Sequence, residues 1–553
     1  MFEAAWEALL IVLHPSRIGF MFLGIIIGIF VGLLPGLSGT VGMSLLLPFV
    51  FGLDPFVGMA LLIGMVAVVH TGDTFPSILL GIPGTSGSQA TIMDGFPLAK
   101  KGQASRAMGA SFFCSMVGGV IGGVALFLMI PFARPLISAF SSPELFMLTM
   151  LGLSMAGLLA GKSPIKGIIS GLLGLLIGSI GSAPAVAEYR YTFGSLYLSS
   201  GVSLPVVALA IFAFPIMITM LTNKGTITDK RPIKGGVLKG VIDALRNKFL
   251  VFRSAVIGTL IGFVPGLGGS VVDWIAYGAA QKTVKNNSFG TGDIRGVIAP
   301  ESANNAKEGG SLVPTLLFGI PGSGTTAILL GGLTLMGLEA GPRMLGADLP
   351  VTLSIVWTLV FANIFGALLC MILIRPISRI SMVPGEKIVP FLLVLLILGA
   401  YQSNFSWGDI LVFIIIGLLG LVMTILDWPR PPLLIGFVLA ISAERYYWIS
   451  IERYGWSWVT NPIVIGLAIF IVVLLTGGTI MKRFSKSVES GGGFHHEKGS
   501  VKYLVYGLSV ALIWNSCYFC IRIFTFSAIF SVVCFCCWNR VLRNLFNPSH
   551  CSL

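Results

Sequence analysis

Apolar stretches alternate with short polar connections along most of this chain, and glycine, proline and small hydroxyl residues interrupt several of the stretches. A membrane crossing needs about 20 apolar residues. On that ruler the pattern predicts roughly ten to twelve spans or half-spans, clearest over 18–34, 107–130, 145–160, 165–183, 203–221, 250–264, 349–374, 388–400, 410–426 and 462–479. The interruptions come in two matched sets. Gly28-x3-Gly32-x2-Pro35-Gly36-Leu37-Ser38-Gly39-Thr40 returns 230 positions later as Gly258-x3-Gly262-x2-Pro265-Gly266-Leu267-Gly268-Gly269-Ser270. Pro76-Ser77-x3-Gly81-Ile82-Pro83-Gly84-Thr85 returns 238 positions later as Pro314-Thr315-x3-Gly319-Ile320-Pro321-Gly322-Ser323. The expected architecture is an all-α polytopic membrane protein with an internal two-fold repeat, broken helices and re-entrant hairpins. Duplicated breaks in apolar segments are the pattern of secondary transporters.

Each half opens on a helix with glycines four apart (Gly24, Gly28 and Gly32; Gly258 and Gly262), a spacing that lets a neighbouring helix approach closely. Pro35 and Pro265 end or kink that helix, because proline lacks the N–H and clashes with the preceding turn. The glycine-rich residues that follow predict an unwound stretch. At the second break, Gly81–Ser88 and Gly319–Thr326 each lie between two apolar runs. They read as hairpin tips, or as ordinary surface turns. As tips they present helix N-terminal N–H groups to an anion and hydroxyl and carbonyl oxygens to a small hard cation, without any buried Arg or Lys.

Composition removes the soluble alternatives. The chain is 55% hydrophobic and 10% charged with a mean hydropathy of +0.94, against roughly 25% charged residues in soluble domains. Its net charge of +13 sits in connections and is no nucleic-acid signal. Basic residues crowd 222–253 and, more weakly, 480–502, which places both on the cytoplasmic side. The turn 401–409 holds no Lys or Arg and is expected outside. The N-terminal run lacks a convincing processing site and reads as a retained first span. The expected organisation is a first repeat over 1–222, a basic cytoplasmic linker over 223–249, a second repeat over 250–400, further spans over 401–480, a linker over 481–500 and a Cys-rich apolar tail over 501–553. Trp407, Trp428, Tyr446, Tyr447, Trp448, Trp456 and Trp458 near span ends suggest an interfacial belt. Six of the eight cysteines follow residue 516; Cys517-x-x-Cys520 and Cys534-x-Cys536-Cys537 have metal-like spacing, but packing or lipid-facing cysteines explain them better and no metal is expected. Ala156-Gly-Leu-Leu-Ala-Gly161-Lys162-Ser163 falls short of a phosphate-binding loop at Ala156 and joins two spans. No enzyme motif emerges, no cofactor is expected, and energy should come from an ion gradient.

Gly32-Leu-Leu-Pro-Gly-Leu-Ser-Gly-Thr40, Asp94-Gly-Phe-Pro-Leu-Ala-Lys-Lys-Gly-Gln103, Arg190-Tyr-Thr-Phe-Gly194 and above all Ala299-Pro-Glu-Ser-Ala-Asn-Asn-Ala306 running on to Gly319-Ile-Pro-Gly322 carry a family resemblance. The chain resembles, over about 15–480, the large membrane subunit of the tripartite tricarboxylate transporters. The resemblance implies uptake of a di- or tricarboxylate across the bacterial inner membrane by symport. It also implies a small membrane subunit and a periplasmic solute-binding protein as partners. His70-Thr-Gly-Asp73, Asp273-Trp274, Asp293 and Arg295 depart from the family pattern, so the substrate need not be citrate. The tail after 490 does not match; it reads as a remnant of a fused small subunit or as a sequence artefact.

The candidate substrate and ion residues are Gly36, Ser38, Gly39, Thr40, Asp73, Pro83, Gly84, Thr85, Ser86, Gly266, Gly269, Ser270, Glu301, Asn304, Asn305, Pro321, Gly322, Ser323, Thr325 and Thr326. Charged residues inside a membrane are costly and point to function, which favours Glu301 if 285–308 enters the bilayer; as a loop that segment would leave Glu301 solvated. Asn304 and Asn305 can donate to a carboxylate or ligate a cation through oxygen. Asp73 reads as a proton or sodium ligand, or as a cap, and His70 as a titrating or a structural histidine. Sodium or a proton is the expected coupling ion, with transient sodium at the tips. The alternative is a passive anion channel or another membrane permease, which would use similar backbone-lined breaks.

Overall fold

Helix follows helix along the chain because proline, glycine and hydroxyl residues stand where one run must stop and the next begin. The computed structural model describes residues 1–473 and 475, apart from 35–36, 139, 160–162, 184–187, 223–235, 266–268, 287 and 381–388. In order these are α1 (Phe2–Val12), α2 (Pro15–Leu33), α3 (Gly39–Leu46), α4 (Pro55–Gly72), α5 (Thr74–Leu80), α6 (Gln89–Lys100), α7 (Ala104–Ser138), α8 (Ser142–Leu159), α9 (Pro164–Gly178), α10 (Leu196–Ser199), α11 (Leu204–Ala208) and α12 (Phe214–Thr222). The second half continues with α13 (Val237–Arg246), α14 (Lys248–Gly262), α15 (Gly269–Thr283), α16 (Arg295–Phe318), α17 (Gly324–Leu335), α18 (Leu349–Ile372), α19 (Ile374–Ile380), α20 (Val389–Gln402), α21 (Trp407–Ile425) and α22 (Pro431–Tyr454). A two-residue hairpin, β1 (Gly181–Ser182) with β2 (Tyr189–Arg190), is the strand content among the described residues. All these elements belong to one compact unit, Met1–Leu467; of a second unit, Ala468–Leu553, the described residues are 468–473 and 475, all helical.

Six helices among the described residues are long and apolar enough to cross a membrane: Pro15–Leu33, Pro55–Leu80, Ala104–Ala133, Leu349–Ile372, Trp407–Ile425 and Pro431–Thr460. The fold is all-α with several long apolar helices, as a polytopic membrane protein requires. Three of the long helical stretches fall outside the clearest hydropathy runs: 55–80 (α4 and α5), 295–318 and 431–454. α16 is the most instructive, because it carries Glu301, Asn304, Asn305, Lys307 and Glu308 and is still buried on every side from Gly296 to Leu317. Protein, rather than lipid, wraps it, which removes the penalty that hydropathy assumes.

The glycine ladders set helix spacing. A Cβ on Gly24, Gly28 or Gly32 would stand 2.2, 2.5 and 2.3 Å from the carbonyl oxygens of Leu61, Met65 and Val69. On Gly258 and Gly262 it would stand 2.1 and 2.5 Å from those of Ala303 and Lys307. Both registers rise together, so α2 runs parallel to α4 and α14 runs parallel to α16. α7 likewise runs along α16, with Gly118 on Ser302 and Gly122 on Ala306. α4 and the start of α5 meet α16 in the opposite sense: Thr74 contacts Glu301, Thr71 contacts Asn305 and His70 contacts Glu308, one number rising as the other falls.

Both first breaks fall where expected. α2 stops at Leu33 before Pro35, and α14 stops at Gly262 before Pro265. The unwound stretch is shorter than predicted, since Gly39, Thr40, Gly269 and Ser270 already form the first turns of α3 and α15. Ser38 ends it by capping α3, its hydroxyl accepting from the Val41 N–H. Gly36 and Gly266 lie outside the described residues, as does the tail with its six cysteines. α8 and α9 flank the near-miss phosphate loop, whose residues 160–162 are also outside the description. The aromatic belt is partial: Trp407 and Trp456 are exposed, whereas Tyr447 and Trp458 are buried against Phe146.

Candidate functional site

Matched glycines turn the chain back after each central helix. Gly81 and Gly319 adopt left-handed φ of 68° and 69°, a conformation glycine enters without a Cβ penalty. After each turn the chain folds back along its own helix. Gly84 lies against Asp73, where a Cβ would come within 2.6 Å of the Asp73 Cβ, and Gly322 lies against Ser311, at 2.9 Å. Asp73 and Ser311 are themselves 238 positions apart.

The first tip is built around acid and base. Asp73 is fully buried. Its Oδ2 takes a short hydrogen bond from the Thr85 hydroxyl and lies 3.3 Å from Nδ1 of His70. Thr85 also caps the turn by accepting from the Gly87 N–H at 3.1 Å. Asn304 of α16 donates to the Gly87 carbonyl at 2.7 Å. Pro83 is half-buried beside Gly84, and α6 leaves the turn at Gln89. Ser86 contributes backbone to this turn.

The second tip is built from caps. Ser323 starts α17 with a capping box: the Thr326 N–H donates to its hydroxyl at 3.3 Å, and its own N–H donates to the Thr326 hydroxyl at 2.8 Å. Pro321 and Gly322 are buried behind it, and Thr325 faces Gly39. Gly324 faces Thr40 closely enough that a Cβ would stand 2.9 Å from the Thr40 methyl. The first break of one half therefore touches the second tip of the other. α15, which begins at Gly269 and Ser270, packs in the same way on the first tip, with Trp274 Nε1 donating to Gln89 at 3.4 Å. Among the described residues, no hydrogen bond joins the two tips directly. His70, beside the first tip, reaches α16, where its Nε2 lies 3.1 Å from Glu308 Oε1.

α16 supplies most of the remaining polar groups. Glu301 is buried, so the solvated-loop alternative fails. Thr91 donates to its Oε1 at 2.7 Å, while Ser115 and Thr74 donate to Oε2 at 3.0 and 3.2 Å. Asn305 donates to Asn363, Thr71 and the Ala67 carbonyl at 2.8, 3.1 and 3.2 Å. Lys307 is buried and pairs with Glu308 at 2.5 Å. The expectation that no buried Lys attends the site is thus overturned: helix packing sinks this ammonium, and its adjacent carboxylate compensates it. Several buried oxygens have no hydrogen-bond partner, namely Asp73 Oδ1, Asn304 Oδ1, Asn305 Oδ1, Glu308 Oε2 and both oxygens of Asp273. Such groups are costly unless something completes them.

Sequence reasoning missed Lys307, Glu308, Asn363 and the hydroxyls of Thr74, Thr91 and Ser115. Glu308 was within reach, because it stands 238 positions after His70. The serine and threonine partners carried no signal of their own.

From α6, Asp94 fastens the connection between α15 and α16. Its Oδ1 accepts from the N–H groups of Gly290, Gly292 and Asp293 at 2.9, 2.8 and 2.8 Å, and its Oδ2 accepts from Tyr277 at 2.9 Å. Asp293 and Arg295, both unexpected in the sequence, pair at 2.7 Å. Burial alone would raise the Asp293 pKa, but the Arg295 side chain and backbone N–H donors outweigh it and hold the carboxyl below its usual range. Arg190 of the Arg-Tyr-Thr-Phe-Gly stretch pairs with Glu444 at 2.7 Å, tying the hairpin to α22.

Comparison with known proteins gives a consistent result. A family model described as "Tripartite tricarboxylate transporter TctA family" matches residues 18–435. An "Uncharacterized 52.8 kDa protein in TAR-I ttuC' 3'region" of Agrobacterium vitis is 29% identical over 474 residues, covering 84% of this chain and 94% of that protein. An "Uncharacterized protein in TAR-II ttuC' 3'region" of the same organism is 30% identical over 224 residues, covering 39% of this chain and 93% of that protein. No solved structure matches.

Proposed function

The chain belongs to the tripartite tricarboxylate transporter TctA family, and from that premise we propose that it imports a small di- or tricarboxylate by symport with sodium or protons. It is a multi-pass membrane component of a transporter and not an enzyme. The family works as a tripartite system, which implies partner proteins generally. We take those partners to be a small membrane subunit and a periplasmic solute-binding protein, acting at the bacterial inner membrane.

The observation that carries this reading is the crossing of α4 and α16. Two helices 238 positions apart in sequence meet antiparallel at His70 and Glu308, and a left-handed glycine turn folds the chain back after α5 in the first half and after α16 in the second. α2 runs with α4 and α14 with α16, so the two halves are read as an inverted repeat about an axis near that contact. In this reading the turns are the tips of re-entrant hairpins and reach toward the membrane midplane, where transporters of this kind bind substrate. The substrate carboxylates meet Pro83, Gly84 and Thr85, with the backbone of Ser86 and of Gly269 and Ser270 at the start of α15, on one side. Ser38, Gly39, Thr40, Pro321, Gly322, Ser323, Thr325 and Thr326 line the other. Asp73, Glu301, Asn304 and Asn305 handle the ion. Neutralising the anion together with its companion cation lets one bundle move against the other without exposing net charge to lipid.

The test is uptake of labelled citrate, succinate and malate by vesicles holding the whole system, with imposed sodium or proton gradients. Accumulation above equilibrium that collapses with ionophores supports symport. Flux that only equilibrates supports a passive channel instead.

A further inference from the structure

Asp273 is fully buried in the second turn of α15, and neither carboxylate oxygen has a hydrogen-bond partner. Its charged neighbours are Glu301 and Lys307 of α16 and Asp73 at the end of α4. Glu301 is different: hydroxyl donors hold both of its oxygens, the arrangement of an ionised carboxylate. Asp73 has Thr85 and His70, and Glu308 has His70 and Lys307. Asp273 has nothing.

The charges around it do not balance. Asp73, Asp273, Glu301 and Glu308 are buried together with one buried ammonium, Lys307, and one imidazole, His70. With all four carboxylates ionised, the cluster stays net negative even when His70 is protonated. A buried uncompensated charge is costly, and an arriving carboxylate substrate would add to it. Other elements packed on α15 do not supply the missing positive charge. α6 offers Asp94, which Tyr277 and the 290–293 backbone already occupy, and the neutral Gln89. α14 carries Lys248 and Arg253, both near its start and so at the far end from the break leading to α15. Among the described residues, no three His, Cys, Asp or Glu side chains come together as a metal-binding group.

We propose that Asp273 is the proton carrier of this transporter: its carboxylate takes up one proton with the substrate and releases it on the other side of the membrane. An O–H bond forms from a hydronium ion in the water on the entry side, and the same bond breaks to water on the exit side, so charge and atoms balance over the cycle. This inference rests on the symport reading and narrows its coupling ion to the proton.

The experiment uses vesicles holding the complete system, with labelled citrate, succinate and malate as probes and sodium equal on both sides. Two quantities are read: accumulation under an acid-outside gradient, and counterflow of labelled against unlabelled substrate. Asp273→Asn, whose amide mimics the protonated acid, is expected to lower gradient-driven accumulation by roughly ten- to a hundredfold, within the range of ordinary ion–substrate coupling, while counterflow persists. Wild-type accumulation in Asp273→Asn overturns the proposal. So does loss of counterflow in parallel with accumulation, which would make Asp273 a substrate ligand. If Asp273→Asn does not reach the membrane, Asp273→Glu replaces it. Gradient-driven uptake with a displaced pH profile then supports the proposal, and an unmoved profile contradicts it. Failure of the wild type to accumulate or exchange any probe defeats the symport reading itself, and this inference with it.

Discussion

α4 and α16 occupy matched places in the two halves and have almost opposite chemistry. On the 238-residue offset, Ile63, Val66, Ala67 and Val69 of α4 correspond to Glu301, Asn304, Asn305 and Lys307 of α16. Both helices are nonetheless buried nearly all round and both are approached by a glycine ladder; a left-handed glycine ends α16 directly and ends α5, which follows α4, in the first half. The scaffold is set by small residues and proline, which the two halves share. The polar groups are set independently, and here they concentrate on one helix. Within α4 the matched polar pair is His70 with Glu308, at the point where the helices cross, and Asp73 with Ser311 follows just beyond it.

The sharpest way to break this comparison is to make α16 resemble α4. Lys307→Met removes one partner of a buried ion pair, and such losses cost about 3–5 kcal/mol; membrane abundance and detergent melting temperature should both fall. Lys307→Met with Glu308→Gln should recover part of the loss, because Glu308 is then no longer a buried carboxylate deprived of its ammonium. No recovery would mean that the pair is not coupled. Next comes the shared scaffold. Gly258→Leu forces a side chain onto the Ala303 carbonyl and should destabilise by about 1–3 kcal/mol or more. Gly278→Leu, at a position with nothing within 4 Å, should leave the melting temperature nearly unchanged.

Much of the shared scaffold was legible because glycine and proline act locally. The offset between Gly81 and Gly319 already placed both turns, and Pro35 and Pro265 placed both breaks. α16 was not legible as a buried helix. Hydropathy reads Glu301, Asn304, Asn305, Lys307 and Glu308 as solvent-facing, and only packing against α7, α14 and α15 makes them interior. The hydroxyls that hold Glu301 come from Thr74, Thr91 and Ser115 on separate elements. No spacing rule joins residues so far apart in the chain.

The tips offer a gentler comparison. Thr85→Ala strips a donor from buried Asp73 and should cost roughly 1–3 kcal/mol, together with a clear loss of uptake. Ser323→Ala removes a helix cap and should cost about 1 kcal/mol. Equal effects of the two on uptake would contradict the chemical asymmetry. The smallest effect concerns Asp293, whose carboxyl lies below its ordinary value of 3.8 beside Arg295. A lowered carboxyl pKa stabilises the fold above the ordinary value and loses that contribution as pH falls through the lowered one. The melting-temperature gap between wild type and Asp293→Asn should therefore be present near neutral pH and close in strong acid. A gap that widens in acid would contradict the pairing.

The central claim is that the two folded-back tips sit inside the membrane and line one site for substrate. A cysteine introduced by Ser323→Cys, in a chain whose eight native cysteines are replaced by serine, measures this directly through its rate of labelling by a membrane-impermeant thiol reagent. The account predicts slow labelling that saturating carboxylate slows further. Rapid labelling at the rate of an exposed loop, indifferent to every carboxylate offered, would contradict it.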